Sequence, residues 1–424
     1  MSALPHEELD ADPCGCPDAG PSRRTVLRGA ALVGATTMFG TTAVTVGAGR
    51  ALAAPAPGGG TTLVVVSLRG AADGLSLVVP HGDPVYYACR PNIAVSADRL
   101  IAKDGFFGMH PAMAPLLPMW DAGKLAAVHA TGLPAPNRSH FSAMEELEDA
   151  DPGSTQRIGW LNRLVGNDGN QSSLRAISVG SSLPTAMVGP EPVMSFSSLD
   201  RARIAGTSRR TTADTGRMRA LNTQWATARG PLGSAFREAL AAVIDLQPAV
   251  AQRANRTAYP TGDLGDALSS VARTLRADVG VSVVTVDSGS WDMHVGLGKP
   301  DSGWMRNNAT ELSSAIAAFF TDLGPVADRV TLVTISEFGR RVQENANWGL
   351  DHGWGNVMLV AGAGVRGGQY YGRWPGLQPG LDADVPVTTD YRSVLAEIVA
   401  TRTSASAAAV FPGFAGEAVG VMAA

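Results

Sequence analysis

The sequence predicts an α/β fold of three layers, in which helices cover both faces of a largely parallel central sheet. Apolar runs of strand length, typical of strands buried on both faces, recur at residues 62–68, 125–130, 281–286, 329–335 and 356–361. Between some of these runs, apolar residues recur at the spacing of one helix face. Strands that alternate with helices favour a parallel sheet.

The individual elements follow from local patterns. The run at 62–68 is rich in valine and is interrupted only by Ser67. Apolar residues spaced four, three and four apart predict helices over 264–275 and 312–323, and residues 388–400 resemble a closing helix. The segment at about 196–260 is rich in Arg, Ala, Thr and Ser without a clear strand signal, so we expect a mostly helical insertion or cap there.

Residues 1–53 match a twin-arginine signal peptide. Arg23 and Arg24 precede an uncharged stretch at 29–49, and a small-residue cleavage site of the form Ala-x-Ala ends at Ala53. We therefore expect the twin-arginine translocase to be a partner during export, and the leader to be cleaved.

After cleavage, a linker at 54–60 would precede one α/β domain at 61–424. Export predicts an extracytoplasmic location, whether secreted, periplasmic or cell-wall associated. No stable membrane span is expected after cleavage, because the apolar stretch lies in the leader.

Composition excludes several classes of protein. Hydrophobic residues make up 45% of the chain and charged residues 17%, which is typical of a globular protein and not of a disordered one. The net charge is -4 and no long basic block lies outside the leader, so nucleic acid is excluded as a partner. Cys14 and Cys16 belong to the leader, which leaves Cys89 as a lone thiol that we expect to be buried.

Metal-ligand residue types follow the predicted strands. Ligands collect at the carboxyl ends of strands in open α/β sheets, so these loops are where a site is expected. The candidate metal ligands are Asp73, Asp292, His294, Glu337, Asp351 and His352. Asp292 and His294 are the stronger pair, because residues two apart in an extended loop can turn toward one cation. Mixed oxygen and nitrogen donors suit a divalent ion, with Zn²⁺, Mn²⁺, Mg²⁺ and Ca²⁺ all left open.

Ser139 and Arg340 are the candidate catalytic residues. Ser139 stands at a predicted helix start, where amide dipoles favour negative charge, and would be the nucleophile. Arg340 or Arg341 could hold an anionic substrate bidentately. Each residue also has a purely structural interpretation: Asp73 as a turn residue, Ser139 as a helix cap, and the two arginines as a solvated pair.

The motifs in these loops resemble the bacterial family known as domain of unknown function 1501, whose members are typically exported by the twin-arginine route. The motifs are Arg69-Gly70-Ala71-Ala72-Asp73-Gly74-Leu75, Arg138-Ser139-His140-Phe141, Trp291-Asp292-Met293-His294, Ser336-Glu337-Phe338-Gly339-Arg340 and Asp351-His352-Gly353. That family is similar to the alkaline phosphatase superfamily, which includes sulfatases.

The resemblance implies an alkaline-phosphatase-like fold with two metal ions and a serine or threonine nucleophile. Asp73 and Glu337, with Ser139, would hold one ion. The second ion would be held by Asp292, His294 and His352.

Three functions follow from these features. The first is an exported metal-dependent hydrolase or transferase that acts on a phosphate or sulfate ester through Ser139. The second is a non-catalytic binding protein for a glycan, a cell-wall polymer or a partner protein, which Met293 and Phe338 favour by placing apolar groups in the site. A redox enzyme is the third, but the sequence has no cysteine cluster or haem motif, and the Gly-rich run at 362–367 is expected to be a turn.

Overall fold

The computed structural model describes residues 37–39, 42–44, 60–152, 154–202, 216–229 and 231–423. Nearly all of the predicted signal peptide and of the linker at 54–60 therefore lies outside the described residues. Within the described residues, no helix combines the length and the apolar character needed to cross a membrane.

Thirteen strands are found in the described part of the chain. In chain order they are β1 (Thr37–Phe39), β2 (Thr42–Val44), β3 (Thr62–Leu68), β4 (Val78–Val79), β5 (Gly108–Met109), β6 (Leu125–Gly132), β7 (Ala176–Val179), β8 (Met194–Phe196), β9 (Val283–Ser288), β10 (Val330–Ile335), β11 (Asn356–Gly362), β12 (Tyr370–Tyr371) and β13 (Thr389–Asp390). Strands β3, β6, β9, β10 and β11 confirm the five predicted apolar runs.

The helices lie between and after these strands along the chain. They are α1 (Gly74–Leu77), α2 (Pro84–Cys89), α3 (Leu117–Asp121), α4 (His140–Asp149), α5 (Trp160–Asn167), α6 (Gly216–Trp225), α7 (Pro231–Asp245), α8 (Gln247–Ala251), α9 (Asp263–Arg276), α10 (Trp304–Leu323), α11 (Tyr391–Arg402) and α12 (Ala407–Val410). Short 3-10 helices lie at Pro111–Leu116, Thr185–Met187, Leu199–Arg201, Arg256–Ala258 and Gly324–Arg329. Helices α9, α10 and α11 confirm the three predicted helices, and the described part of the 196–260 segment contains α6, α7 and α8.

The central sheet runs in the order β1-β2-β8-β7-β9-β3-β10-β11-β6-β12, and β13 also pairs with β6. Strands β8, β7, β9, β3 and β10 are parallel neighbours. Strand β11 is antiparallel to both β10 and β6. The prediction of a largely parallel sheet is confirmed. Because β11 runs in the reverse direction, its first residues lie at the edge where β3, β9 and β10 end.

Strand β3 shows how the sheet separates two cores. All of its residues are buried, and its side chains alternate between the two faces. Val64 and Val66 pack in the core that includes α9 and α10. Leu63 and Val65 pack in the core that includes α4, α5 and α11. The predicted three-layer arrangement is confirmed, and burying each such side chain contributes about 1.5–3 kcal/mol.

Two smaller predictions are also confirmed. Cys89 is a free, buried cysteine at the end of α2. The Gly-rich run that begins at Gly362 ends β11 and opens no helix; Gly362 and Gly364 have positive φ angles of 98° and 76°, as a tight turn requires. Strands β1 and β2, which belong to the predicted leader, pair antiparallel, and β2 continues the sheet beside β8.

Candidate metal centre

Three imidazoles and one carboxylate converge at the carboxyl edge of the sheet. His140 is the first residue of α4, Asp292 and His294 lie in the loop after β9, and His352 precedes the reversed strand β11. The Nε2 atom of His352 lies 3.0 Å from Nε2 of His140 and 2.9 Å from Nε2 of His294. Asp292 Oδ1 lies 3.1 Å from His294 Nε2, and Asp292 Oδ2 lies 3.6 Å from His140 Nε2. We call this group the histidine centre.

The opposite nitrogen of each imidazole faces a hydrogen-bond acceptor. The three pairs are His140 Nδ1 with Glu337 Oε1 at 3.1 Å, His294 Nδ1 with Asp351 Oδ1 at 3.0 Å, and His352 Nδ1 with the Arg138 carbonyl oxygen at 2.8 Å. An ionised carboxylate or a carbonyl only accepts, so a neutral imidazole must carry its proton on Nδ1. Each Nε2 atom then directs a lone pair into the histidine centre.

This donor set fits a divalent metal ion. Three lone pairs and a carboxylate that face one another without a proton repel, and a cation removes that repulsion. Zn–N bonds of about 2.0–2.1 Å in tetrahedral geometry separate the nitrogen atoms by about 3.3 Å. The observed separations of 2.9 and 3.0 Å are near that value. Ligand atoms of His140, Asp292 and His352 lie within 4.8 Å of one another, whereas His294 lies outside that set and contacts His352 and Asp292.

Glu337 holds His140 from a buried position. It follows β10, and its Oε1 also accepts from the backbone amide of Gly70 at 2.7 Å. Burial raises the pKa of this carboxyl, but hydrogen bonds from His140 and from backbone amides outweigh burial and lower the pKa below its ordinary value. Glu337 is therefore ionised and orients an imidazole, whereas the sequence predicted it as a ligand.

Asp351 has the same relationship to His294. Burial acts to raise its pKa, while hydrogen bonds from His294 and Asn345 lower the pKa overall. The pKa of His352 is lowered, first by burial and then by the positive charge of Arg340 against the opposing effect of its bond to the Arg138 carbonyl. A neutral His352 beside ionised carboxylates is the protonation state that metal binding requires.

Arg340 is a buried cation beneath the histidine centre. Its guanidinium donates to the carbonyl oxygens of Ala71 at 2.6 Å and Leu350 at 3.0 Å, and to Asp292 Oδ1 at 2.6 Å. It also donates to the Gly70 carbonyl. Burial raises the pKa of Asp292, but the bond from Arg340 lowers it overall. Arg340 thus positions Asp292, and the protein already occupies the donors that were predicted to hold a substrate.

Asp73 is not part of the histidine centre. Its two carboxylate oxygens accept from Arg90, at 2.5 Å from Nη1 and 3.0 Å from Nη2, and both side chains are buried. Arg90 also donates to the carbonyls of Val342 and Arg341. Asp73 precedes α1 and anchors this loop to α2, so its arrangement is that of a structural ion pair.

Ser139 lies at the rim of the centre as the N-cap residue of α4. Its side chain is exposed and makes no capping hydrogen bond. Its chain neighbours both reach the centre, since the Arg138 carbonyl accepts from His352 and His140 is a member. The hydroxyl is therefore free to meet a molecule that enters from solvent.

Comparison with known protein families identifies the family of this chain. The family described as Protein of unknown function (DUF1501) matches residues 108–401. The chain belongs to this family. The resemblance drawn from its motifs is confirmed. No curated protein matches this DUF1501 chain.

One solved structure similar to this DUF1501 protein is that of BT1596, a 2-O GAG sulfatase. The two share 8% sequence identity with a TM-score of 0.30, and the alignment covers 72% of this chain and 65% of the sulfatase. The chain therefore spans less than two thirds of the length of that protein.

The histidine centre of this DUF1501 protein opens into a cleft of about 670 Å³. His140, Asp292 and Glu337 line the cleft, as does Phe141, which is 88% exposed. Phe338 is buried beside the histidine centre, with its ring centroid 4.9 Å from those of both His140 and His352.

His140 was not among the candidate metal ligands predicted from the sequence. The residue belongs to the motif that follows β6, directly after Ser139. Its signal was its position: it is an imidazole that follows a buried strand of the central sheet, as the predicted ligands do.

Proposed function

We propose that this protein is a metal-dependent hydrolase or transferase that acts on a phosphate or sulfate ester outside the cytoplasm. One observation carries the proposal: ligand atoms of His140, His352 and Asp292 lie within 4.8 Å of one another, and both imidazoles are held through Nδ1 by an acceptor. Such preorganised lone pairs have a clear use in binding a cation.

His140, His352 and Asp292 would hold one divalent ion, and His294 lies beside His352 and Asp292. When bound, such an ion polarises an ester oxygen and lowers the pKa of water. The carboxylates of Glu337 and Asp351 keep the imidazoles in the required tautomer, and Arg340 keeps Asp292 ionised.

Ser139 would supply the nucleophile. Its oxygen forms a bond to phosphorus or sulfur while the bond to the ester oxygen breaks, and the released alcohol takes a proton from solvent. The hydroxyl proton of Ser139 leaves to solvent, to which this residue is exposed. Water then displaces the serine oxygen and releases phosphate or sulfate; an alcohol in place of water gives transfer.

The test measures metal content and turnover together. The mature chain is loaded separately with Zn²⁺, Mn²⁺, Mg²⁺ and Ca²⁺, and hydrolysis of 4-nitrophenyl phosphate, bis(4-nitrophenyl) phosphate and 4-nitrophenyl sulfate is followed. We expect about one tightly bound ion per chain and turnover that a chelator abolishes. His352→Ala should lose both, while His81→Ala, outside the centre, should keep both.

A folded chain that binds none of these ions would remove the hydrolase proposal. It would favour a non-catalytic glycan-binding or partner-binding protein, for which the buried Phe338 beside two imidazoles is the supporting feature. Met293, which is buried in the core, gives that alternative no surface for contact.

We also propose export by the twin-arginine translocase, supported by Arg23, Arg24 and the small-residue site that ends at Ala53. Replacing both arginines with lysine should retain the chain in the cytoplasm, as cell fractionation would show.

A further inference from the structure

A second cavity of about 750 Å³ adjoins the cleft at the histidine centre. Arg69 and Asp287 line both spaces, and Arg69 Nε donates to Asp287 Oδ1 at 2.9 Å. The two spaces therefore lie on either side of this ion pair. We call this space the polar cavity.

The polar cavity carries both signs of charge in equal number. Four arginines and four aspartates line it: Arg69, Arg201, Arg256, Arg273, Asp200, Asp263, Asp266 and Asp287. Several of these are already paired, since Asp200 accepts from Arg256 at 2.8 Å and from Arg273 at 3.0 Å. The balance gives the cavity no net charge with which to select a polyanion or a polycation.

Hydrogen-bond acceptors and hydroxyl groups remain for a ligand. Within the described residues, no ion pair joins the carboxylate of Asp263 or Asp266 to a cation, although both line the cavity. Ser197 also lines the cavity, and its buried Oγ has no hydrogen-bond partner among the described residues. A buried hydroxyl without a partner is costly, and a turn of the Ser197 side chain toward the cavity would let a ligand hydroxyl satisfy it.

We propose that the polar cavity binds a sugar, and that the substrate is a sugar ester whose phosphate or sulfate group lies at the histidine centre. A sugar has several hydroxyls on a neutral ring, so it donates to carboxylates such as Asp263 and Asp266 and accepts from arginines. The volume suits a ligand of this size. This inference rests on the proposed function for the ester and on the polar cavity for the sugar.

The test compares esters with and without hydroxyls. Binding of glucose 6-sulfate, galactose 6-sulfate, N-acetylglucosamine 6-sulfate and 4-nitrophenyl sulfate to the Zn²⁺-loaded mature chain is measured by calorimetry. We expect at least one sugar ester to bind at least tenfold more tightly than 4-nitrophenyl sulfate. The double variant Asp263→Asn, Asp266→Asn should lose that preference while its affinity for 4-nitrophenyl sulfate stays unchanged.

The matched control is Asp328→Asn, at an exposed carboxylate paired with Lys124 outside the cavity, which should keep the preference. Saturation-transfer NMR with the unesterified sugars tests the cavity without the ester. Sugar binding without turnover of any ester would support the cavity and remove the hydrolase. Equal affinities for all four esters, or a preference that survives in the double variant, would overturn the sugar proposal.

Discussion

The Nδ1 atom of His294 lies 3.0 Å from Oδ1 of Asp351, and this contact fixes which nitrogen of His294 faces the histidine centre. Asp351 was predicted as a ligand, and in the structure its carboxylate faces the imidazole of His294. Loss of such an orienting carboxylate typically costs about 10–100-fold in metal affinity. We therefore expect Asp351→Asn to bind Zn²⁺ more weakly by about that factor in a competition titration. Asp382→Asn, at an exposed carboxylate, is the control; equal affinities in the two variants would refute the orienting role.

Ser139→Ala separates chemistry from metal binding. The hydroxyl makes no capping hydrogen bond, so its loss should leave α4 intact. We expect turnover of 4-nitrophenyl esters to fall by at least about a hundredfold, while the metal content stays that of the parent chain. Ser142→Ala, three residues along the same helix, should keep full turnover. A Ser139→Ala protein with unchanged kcat would show that another group attacks.

Asp73→Asn tests the buried ion pair with Arg90. Removing one partner of a buried pair typically costs about 3–5 kcal/mol, because the remaining charge is left unpaired. We expect urea unfolding to show a loss of that size, with metal affinity unchanged. Asp328→Asn, which breaks the exposed pair with Lys124, should cost about 0–1 kcal/mol. If Asp73→Asn binds metal more weakly at unchanged stability, Asp73 is a metal ligand after all.

The lowered pKa of buried His129 predicts that the protein loses stability in mild acid. Burial against Phe107 and Trp374 lowers the pKa of His129 from 6.5 to about 4. Between these values the unfolded chain binds more protons than the folded one, so the free energy of unfolding falls as the pH decreases from about 6.5 toward 4. The full effect is on the order of 3 kcal/mol.

The measurement is urea unfolding at pH 7.5 and pH 5 in chelator, which removes any contribution from bound metal. His129→Phe should show a smaller decrease than the parent chain. His110, whose pKa burial also lowers to about 4, contributes equally to both proteins. Identical pH dependence in the two would mean that His129 does not govern this loss.

Sequence patterns predicted the strands of the sheet because burial on both faces leaves a continuous apolar run, as in β3 and β10. They did not predict the direction of β11. A short buried strand has the same apolar sequence pattern whether it is parallel or antiparallel, since both kinds bury the same side chains. The direction of β11 matters, because its reversal places His352 at the edge of the sheet where β9 ends and His294 follows.

The candidate site was predicted only in part, and the reason is similar. Asp292, His294 and His352 do meet, but sequence spacing cannot tell a ligand from the carboxylate behind it. The carboxylates of Glu337 and Asp351 contact the Nδ1 atoms of imidazoles. Asp73 instead pairs with Arg90, 17 residues along the chain. Which partner a carboxylate finds depends on how loops pack, and this is set by contacts distant in sequence.

Arg340 has a consequence for the electrical balance of the centre. With neutral imidazoles, the carboxylates of Asp292, Glu337 and Asp351 against one guanidinium leave two negative charges. A divalent cation would cancel them, so the loaded centre would carry no overall charge. Coulomb attraction would then give a dianionic ester no advantage over a monoanionic one, and singly charged sulfate esters and phosphodiesters would compete on equal terms with phosphomonoesters.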